Sequence, residues 1–296
     1  MTSLSRKDWI LLILLTLSWG LNWPIMKMGV RHFPPLTFRA ISMIGGLPVL
    51  WLAARMQGAS LALPRGRTFE VVRLAVPNML VWNVFMILSV RMLSSGRAAI
   101  LGYTMPVWAV LSALVFFGDR PGRNGWIGIA CAMTGALLLL SSEITTLTGN
   151  PLGTVLALIA AAGWGYGTVT IKRSSLEMPT ISLTFWMLAL TSSAMALAAT
   201  LFESNAWQMP DMATIGAIAF NALVIFGFAH VVWYKLARTL PPVVSSLSVM
   251  MIPVLGVFSG AWLLGETPHW QDYAAMALIL AAMSTVLLRP GTIARK

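Results

Sequence analysis

The second half of this 296-residue chain repeats the pattern of the first half. In both halves a Trp-Gly pair late in a long apolar segment is followed by a lysine, eight residues after the tryptophan: Trp19 and Lys27, then Trp164 and Lys172. Further pairs are separated by 147 positions: Asn83 and His230, Arg91 and Arg238, Pro106 and Pro253, and Gly118-Asp119 and Gly265-Glu266. The pattern predicts two related bundles of apolar segments.

Composition places these segments in a membrane. Apolar residues make up 58% of the chain and charged residues only 10%, whereas a soluble protein has roughly a quarter charged residues. Because lipid offers no partners for backbone amides, segments of roughly 20 apolar residues cross a bilayer as helices. The ten candidate segments centre on residues 9–28, 36–54, 72–92, 98–117, 125–142, 152–171, 180–201, 213–233, 243–263 and 271–288.

We therefore predict an all-α integral membrane protein with ten transmembrane helices. They divide into two sets of five, and an odd number of crossings makes the second set run opposite to the first. The first repeat is placed at residues 1–146 and the second, inverted repeat at 147–296, with the join in the Ser/Thr/Gly-rich turn at 141–150. Inverted repeats of this kind enclose a substrate site near the membrane midplane in secondary transporters.

The net charge of +11 is explained by membrane topology and not by nucleic-acid binding. With the N-terminus inside, fifteen of the twenty basic residues lie on the cytoplasmic side, so the positive-inside rule places both termini in the cytoplasm. The remaining five are Lys27, Arg31, Arg39, Arg91 and Arg97. The fifteen are Arg6, Lys7, Arg55, Arg65, Arg67, Arg73, Arg120, Arg123, Lys172, Arg173, Lys235, Arg238, Arg289, Arg295 and Lys296.

Polar and aromatic residues inside the apolar segments indicate a substrate cavity, because such groups are costly against lipid. A lining of indole and phenol rings with amides between them suits an aromatic or amphipathic zwitterion. Alternatively, the tryptophans pack against neighbouring helices, and the asparagines and the histidine form interhelical hydrogen bonds. The predicted lining residues are Trp19, Asn22, Trp23, Asn78, Trp82, Asn83, Tyr103, Trp108, Trp164, Tyr166 and His230.

Two prolines and a glycine are candidate hinges. Pro106 and Pro253 each remove a backbone donor within a predicted helix and so favour a kink. With Gly163 they are predicted gating or hinge positions, and static packing is the alternative. Lys27 and Lys172, near helix ends, are cations that extend to the interface or contact a substrate carboxylate.

These motifs together resemble a known family. Three features resemble those of EamA-type members of the drug/metabolite transporter superfamily. They are the Trp-Gly pair in the first helix of each half, the proline in the fourth helix, and the Gly-[Asp/Glu]-x-Pro motif that ends the fourth helix, at 118–121 and 265–268. The resemblance covers nearly the whole chain. It implies a ten-helix inverted repeat in the inner (plasma) membrane of a bacterium, exporting amino acids or related metabolites by alternating access.

Within that family the chain most resembles the bacterial aromatic amino acid exporter. The resemblance therefore implies a small-molecule substrate such as Trp, Phe or Tyr. One departure separates the two halves, because residues 167–169 in the second half are Gly-Thr-Val where residues 22–24 in the first half are Asn-Trp-Pro. The two half-sites therefore differ chemically.

Other classes of function fit the sequence less well. The three histidines, His32, His230 and His269, and the scattered acidic residues have neither metal-ligand spacing nor a nucleophile beside a base, which argues against an enzyme. A channel needs a continuous polar pore lining, and ATP hydrolysis needs a phosphate-binding loop that the sequence lacks. We expect no cofactor, no metal and no obligate protein partner.

The coupling mechanism stays open at the level of sequence. All nine acidic residues fall at or near predicted loops, and His230 is the one deep group that titrates near neutrality. A facilitator and a proton-coupled exchanger are both compatible with this pattern. The alternative substrates are threonine-type amino acids, nucleosides and cationic drugs.

Overall fold

The computed structural model describes residues 6–145, 149–236, 242–287 and 293–294. Ten helices in these residues are long and apolar enough to cross a membrane, which confirms the predicted membrane fold. We number them α1 to α10 in chain order. Their bounds are α1 Arg6–Gly29, α2 Pro35–Met56, α3 Thr68–Met92, α4 Ser95–Phe117, α5 Arg123–Thr145, α6 Pro151–Arg173, α7 Thr180–Glu203, α8 Met212–Leu236, α9 Pro242–Leu264 and α10 Trp270–Leu287.

The packing of the helices follows the repeat. α1 packs against α8 and α9, and its counterpart α6 packs against α3 and α4. α2 packs against α7 and α5 against α10, so each of these helices lies against its own counterpart. The first helix of each half is thus held by the third and fourth helices of the other half. The boundary between residues 146 and 147 lies outside the described residues and stays a prediction.

Both halves contain a π-helical segment in their third helix. Val76–Val81 forms it in α3 and Phe220–Ala229 in α8, at positions that overlap at the repeat offset of 147. π-Helical turns are rare and frequently occur at functional sites. Of the predicted cavity residues, Asn78 lies within the first segment, and Asn83 and His230 follow the first and second segments closely.

The repeated proline has different surroundings in the two halves. α4 is interrupted at Tyr103 and Thr104, two residues before Pro106, and resumes at Met105. In contrast, α9 continues without interruption through Pro253. A proline removes a helical donor in both places, so the difference comes from packing around the helices. The halves therefore differ in conformation as well as in sequence.

The repeated Gly-[Asp/Glu] motif ends the fourth helix of each half. Gly118, directly after α4, has a φ of 72° and Gly265, directly after α9, has a φ of 65°. Glycine adopts this left-handed conformation at little cost, and it is a common way to end a helix. The backbone N–H of the acidic residue that follows each glycine bonds back to its own helix, Asp119 to the carbonyl of Ala113 (3.1 Å) and Glu266 to the carbonyl of Gly260 (3.4 Å).

Polar side chains cap two further helices at their first turns. The amide oxygen of Asn150 accepts a hydrogen bond from the N–H of Gly153 (3.3 Å) at the start of α6. The Asp211 carboxylate accepts one from the N–H of Thr214 (2.7 Å) at the start of α8. This backbone hydrogen bond, together with one from the Thr214 side chain, lowers the pKa of Asp211 below its ordinary value.

The loops between helices define two faces of the bundle. On the predicted cytoplasmic face, Arg120–Pro121 (β1) pairs antiparallel with Ile293–Ala294 (β2). Within the described ranges, this ladder is the only strand pairing. The predicted outer face comprises loops 30–34, 93–94, 204–211 and 265–269, and the predicted cytoplasmic face comprises loops 57–67, 118–122 and 174–179. Four charges used for the topology lie outside the described residues: Arg238, Arg289, Arg295 and Lys296.

Small residues bring α2 and α8 into close contact. A Cβ atom built on Gly45 would lie 2.9 Å from the Cβ of Ala222, and one built on Gly227 would lie 2.7 Å from Cγ1 of Val49. Close approach through small residues is typical of helices packed inside a membrane. This contact fixes the π-helical segment of α8 against α2.

Candidate substrate site

The tryptophan of each Trp-Gly pair packs against a tryptophan from the other half. In α6, Trp164 makes an edge contact with Trp82 of α3, with ring centroids 5.1 Å apart. In α1, Trp19 contacts Trp233 of α8 at 5.5 Å. The two contacts are related by the repeat, since each joins a first helix to a third helix. Sequence analysis missed Trp233, whose position near the end of a span is also typical of an interfacial anchor.

A set of four rings surrounds the interruption of α4. Besides the Trp82–Trp164 pair, Trp23 of α1 makes an edge contact with Tyr103 at a centroid distance of 6.2 Å. Gly102 links the two pairs, because a Cβ atom built there would lie 3.0 Å from Cη2 of Trp23 and 3.3 Å from Cη2 of Trp82. We call Trp23, Trp82, Tyr103 and Trp164 the aromatic cluster. It joins α1, α3 and α4 of the first half to α6 of the second.

The members of the aromatic cluster differ in exposure. Trp23 and Tyr103 are buried, whereas Trp82 and Trp164 are partly exposed. Edge-to-face contacts leave ring faces and edges available to a further aromatic group. The cluster therefore provides surfaces on which an aromatic ligand can pack.

The three predicted asparagines are all buried, and two have an unsatisfied oxygen. Nδ2 of Asn83 donates to the carbonyl of Met79 (2.7 Å), which leaves its Oδ1 without a partner. Oδ1 of Asn22 also has no partner. Asn78 lies against α6, since a Cβ atom built on Gly167 would be 2.7 Å from the Cβ of Asn78. Buried amide oxygens without hydrogen bonds are uncommon in folded proteins.

The other predicted lining residues lie in α4, α6 and α8. Nε1 of Trp108 donates to Oγ1 of Thr104 (3.2 Å), which belongs to the interruption in α4. The ring of Tyr166 contacts Phe116, whose side chain is 64% exposed, so this contact lies on the outside of the bundle. His230 stacks on Phe226 at 6.0 Å, and its Nδ1 lies 2.7 Å from the carbonyl oxygen of Ile225.

The two repeated lysines have different environments. Nζ of Lys27 donates to the carbonyls of Arg91 (2.9 Å) and Leu93 (2.7 Å) at the end of α3. Lysine in this position caps a helix C-terminus and offsets its dipole. Lys172 is exposed in the last turn of α6.

The predicted hinge glycine is a point of close helix approach. A Cβ atom built on Gly163 would lie 2.5 Å from Cγ1 of Val81 and 3.0 Å from the carbonyl oxygen of Pro77. Both atoms belong to the π-helical segment of α3. A larger side chain at position 163 would separate α6 from this segment.

Two carboxylates bind helix N-termini at the predicted outer face. Glu266, after α9, accepts hydrogen bonds from the N–H (2.7 Å) and hydroxyl (2.8 Å) of Ser95 and from the N–H of Gly96 (3.3 Å) at the start of α4. Glu203, at the end of α7, accepts from the N–H groups of Leu36 (3.0 Å) and Thr37 (2.8 Å) at the start of α2. Both carboxylates favour the positive end of a helix dipole, and both join one half of the chain to the other.

A buried ion-pair cluster lies beside Glu266. Nε of Arg97 is 2.6 Å from the Asp272 carboxylate, and its Nη1 pairs with Glu143. Arg97, Glu143 and Asp272 are all buried although their positions near helix ends suggested exposed loop charges. Together with Glu266 they line a cavity of ≈ 290 Å³. In the part of the chain that the structure describes, no three His, Cys, Asp or Glu side chains are placed to hold a metal ion.

Arg39 is a polar residue that sequence analysis counted only as a topology charge. It lies in the second turn of α2 and is only 3% exposed. Its Nη1 donates to Oδ1 of Asn221 (3.0 Å), and its guanidinium carbon lies 5.1 Å from the ring centroid of Phe226. Its Nε has no partner. An arginine four residues inside an apolar span is the signal that could have identified it.

Comparison with known proteins places this geometry among transporters. The model of the EamA-like transporter family matches residues 7–141 and 151–288. A protein of Salmonella typhimurium named "probable amino-acid metabolite efflux pump" is 27% identical over 297 residues, which cover 95% of this chain and 94% of that protein. The uncharacterized inner membrane transporter YedA of Escherichia coli K12 is 26% identical, with coverage of 94% and 89%.

A solved crystal structure has the same fold. Its TM-score is 0.64 and its sequence is 22% identical, with 96% of this chain and 98% of the other chain covered. The similarity supports the ten-helix arrangement described above.

Proposed function

Because the chain belongs to the EamA-like transporter family, it is a membrane transporter, and we propose that it exports amino acids, with the aromatic amino acids as its preferred substrates. The relative named as an amino-acid metabolite efflux pump supports an amino-acid substrate. The relative named as an inner membrane transporter supports a location in the inner (plasma) membrane of a bacterial cell. In this proposal both termini lie in the cytoplasm, as the charge distribution predicts.

The aromatic cluster is the observation that carries the preference for aromatic substrates. Its rings come from both halves and meet at the interruption of α4. An added aromatic ring packs favourably against indole and phenol edges, by about 0.5–1.5 kcal/mol per ring pair beyond the burial of area. Buried amides beside the rings suit the polar end of the same substrate.

Two observations support transport by alternating access, namely the contacts at the predicted outer face and the partial exposure of residues further inside the bundle. Glu266 and Glu203 hold helix ends together on the predicted outer face. Further inside the bundle, Trp82, Trp164 and His230 are partly exposed. In the proposal this conformation is closed outside, and breaking the carboxylate contacts opens the outer side for release.

A broader substrate range is the second candidate. The named relative is described as an efflux pump for amino-acid metabolites without mention of aromatic ones. Threonine-type amino acids, nucleosides or cationic drugs would then share the cavity, and a proton gradient would drive the exchange.

Uptake into proteoliposomes that contain the purified protein tests these alternatives. We expect radiolabelled tryptophan and phenylalanine to enter several times faster than threonine and uridine, because only the former combine an indole or phenyl ring with an amino-acid backbone. Repeating the assay with an imposed pH gradient separates facilitated transport from proton coupling. Transport of threonine or uridine without the aromatic amino acids would contradict the preference.

A further inference from the structure

Among the residues that the structure describes, Arg39 is a buried cation without an anionic partner. Its two contacts, Asn221 and the ring of Phe226, carry no net charge. Arg97, the other buried arginine, is paired with two carboxylates. In the residues that the structure describes, Arg39 forms no ion pair, and its Nε donor is unused. Keeping an unpaired charge inside a membrane is costly, and such residues mark substrate or ion pathways.

The guanidinium of Arg39 lies deep in the bundle. Its two contacts, Asn221 and Phe226, are nine and fourteen residues beyond the start of α8 at Met212. At 1.5 Å per residue these contacts lie about 14 to 21 Å below that helix end. Half the thickness of a membrane of about 30 Å is about 15 Å, which falls within this range of depths. Because Arg39 is four residues, or about 6 Å, past the start of α2, its side chain extends from there towards the midplane to reach these contacts.

Two unused acceptors lie at a similar depth. Oδ1 of Asn22 and Oδ1 of Asn83 have no hydrogen-bond partner. Their residues are seven and nine positions before the ends of α1 and α3, or about 10 to 14 Å deep. α1 packs against α3 and α8, and α2 does the same. These four neighbouring helices therefore carry one unused cationic donor and two unused amide acceptors.

We infer that Arg39 binds the carboxylate of the transported amino acid, and that the oxygens of Asn22 and Asn83 accept hydrogen bonds from its ammonium group. This inference rests on the proposed function. A guanidinium presents a planar set of donors that matches a carboxylate. Asn221 is a positioning residue, since it holds Nη1 of Arg39.

The arrangement also orients the side chain of the substrate. Asn22 and Asn83 directly adjoin Trp23 and Trp82 in the sequence, so the ammonium site lies beside the aromatic cluster. Lys27 is bonded to carbonyls at the end of α3 and Lys172 is exposed at the end of α6. Arg39 therefore takes the role of carboxylate contact that sequence analysis considered for these lysines.

Three indole compounds separate the charges of the substrate in a proteoliposome assay. Tryptophan carries both charges, indole-3-propionate only the carboxylate, and tryptamine only the ammonium. We expect Arg39→Gln to slow tryptophan and indole-3-propionate about tenfold or more, the effect of losing a hydrogen bond to a charged group. Tryptamine transport should stay within about twofold of wild type, since no carboxylate is lost.

Two further variants exclude a loss of fold. Arg39→Lys keeps the charge without the planar donors, so we expect a higher KM for tryptophan and an unchanged melting temperature in detergent. Arg31→Gln removes an exposed cation on the predicted outer face and should behave as wild type. If Arg39→Gln slows the transport of all three compounds equally, or of none of them, the inference is overturned.

If the proposed function is wrong, the same transport assay gives a different result. A wild-type protein that carries indole-3-propionate but not tryptophan would refute amino-acid export. A selective effect of Arg39→Gln on that compound would still support carboxylate binding by Arg39.

Discussion

Two arginines inside the bundle differ in how their charge is compensated. Arg97 is bonded to Asp272 and Glu143, whereas Arg39 has an amide and an aromatic ring as neighbours. The sequence alone does not separate them, because both lie near the N-terminal end of a span and both count as positive charges outside. Their partners come from distant parts of the chain, which only the fold brings together. One contact is structural, and we assign the other to substrate binding.

The Arg97 cluster makes a prediction about stability. Arg97→Met should lower the free energy of unfolding by about 3–5 kcal/mol, because it leaves two buried carboxylates without their cation. A melting curve in detergent measures the loss. The matched control is Arg67→Met, which breaks an exposed pair with Glu70 on the predicted cytoplasmic face and should have little effect. Equal melting temperatures for both variants would show that the Arg97 cluster does not stabilise the fold.

A second prediction concerns Gly102, where the aromatic cluster leaves no space for a side chain. Gly102→Val should reduce tryptophan transport strongly and lower stability by about 1–3 kcal/mol, since its side chain would displace Trp23 and Trp82. Gly216→Val is the control, because a Cβ at that helical glycine meets nothing within 4 Å. Transport and melting temperature are measured for both. A Gly102→Val protein that matches wild type in both measurements would refute the tight packing.

At the scale of helices, composition and the lengths of the apolar segments predicted the ten spans, while the irregular segments within them were not predicted. Val76–Val81 contains Pro77, which removes a helical donor, whereas Phe220–Ala229 contains no proline, so proline does not account for both π-helical segments. Pro106 and Pro253 indicate weak points equally, yet only α4 is interrupted. Such differences depend on which helices pack against each segment, and this packing is not evident from a single sequence.

The carboxylate contacts between helix ends predict how the outer face opens. Val257, buried in α9 against Gly96, is replaced by cysteine in a Cys131→Ser background as a probe of accessibility. Glu266→Gln should then speed labelling by an impermeant thiol reagent several-fold, because hydrogen bonds to a charged group are lost.

The control for this experiment is Glu177→Gln, which removes an exposed carboxylate from the loop after α6. It alters the total charge equally and should leave the labelling rate unchanged. If Glu266→Gln labels no faster than the control, the carboxylate does not hold the outer face closed.

At the scale of the whole molecule, the repeat in the sequence corresponds to an arrangement in which each half completes the other. The Trp-Gly motifs were recognisable because they recur, but their partners Trp82 and Trp233 do not occupy equivalent positions. The central site is accordingly asymmetric. In our account the aromatic cluster, formed by both halves, binds the ring of the substrate.

Tryptophan uptake by single-tryptophan variants tests this account most directly. Trp82→Ala and Trp164→Ala remove one ring from each half of the cluster, and Trp262→Ala removes an indole that is 80% exposed on the outside of the bundle. We expect the rate of tryptophan uptake to fall about tenfold or more in both cluster variants, because each loses a ring contact and buried apolar area. Trp262→Ala should transport tryptophan at the wild-type rate, and all three proteins should remain folded. Cluster variants that transport tryptophan as fast as wild type would contradict the account.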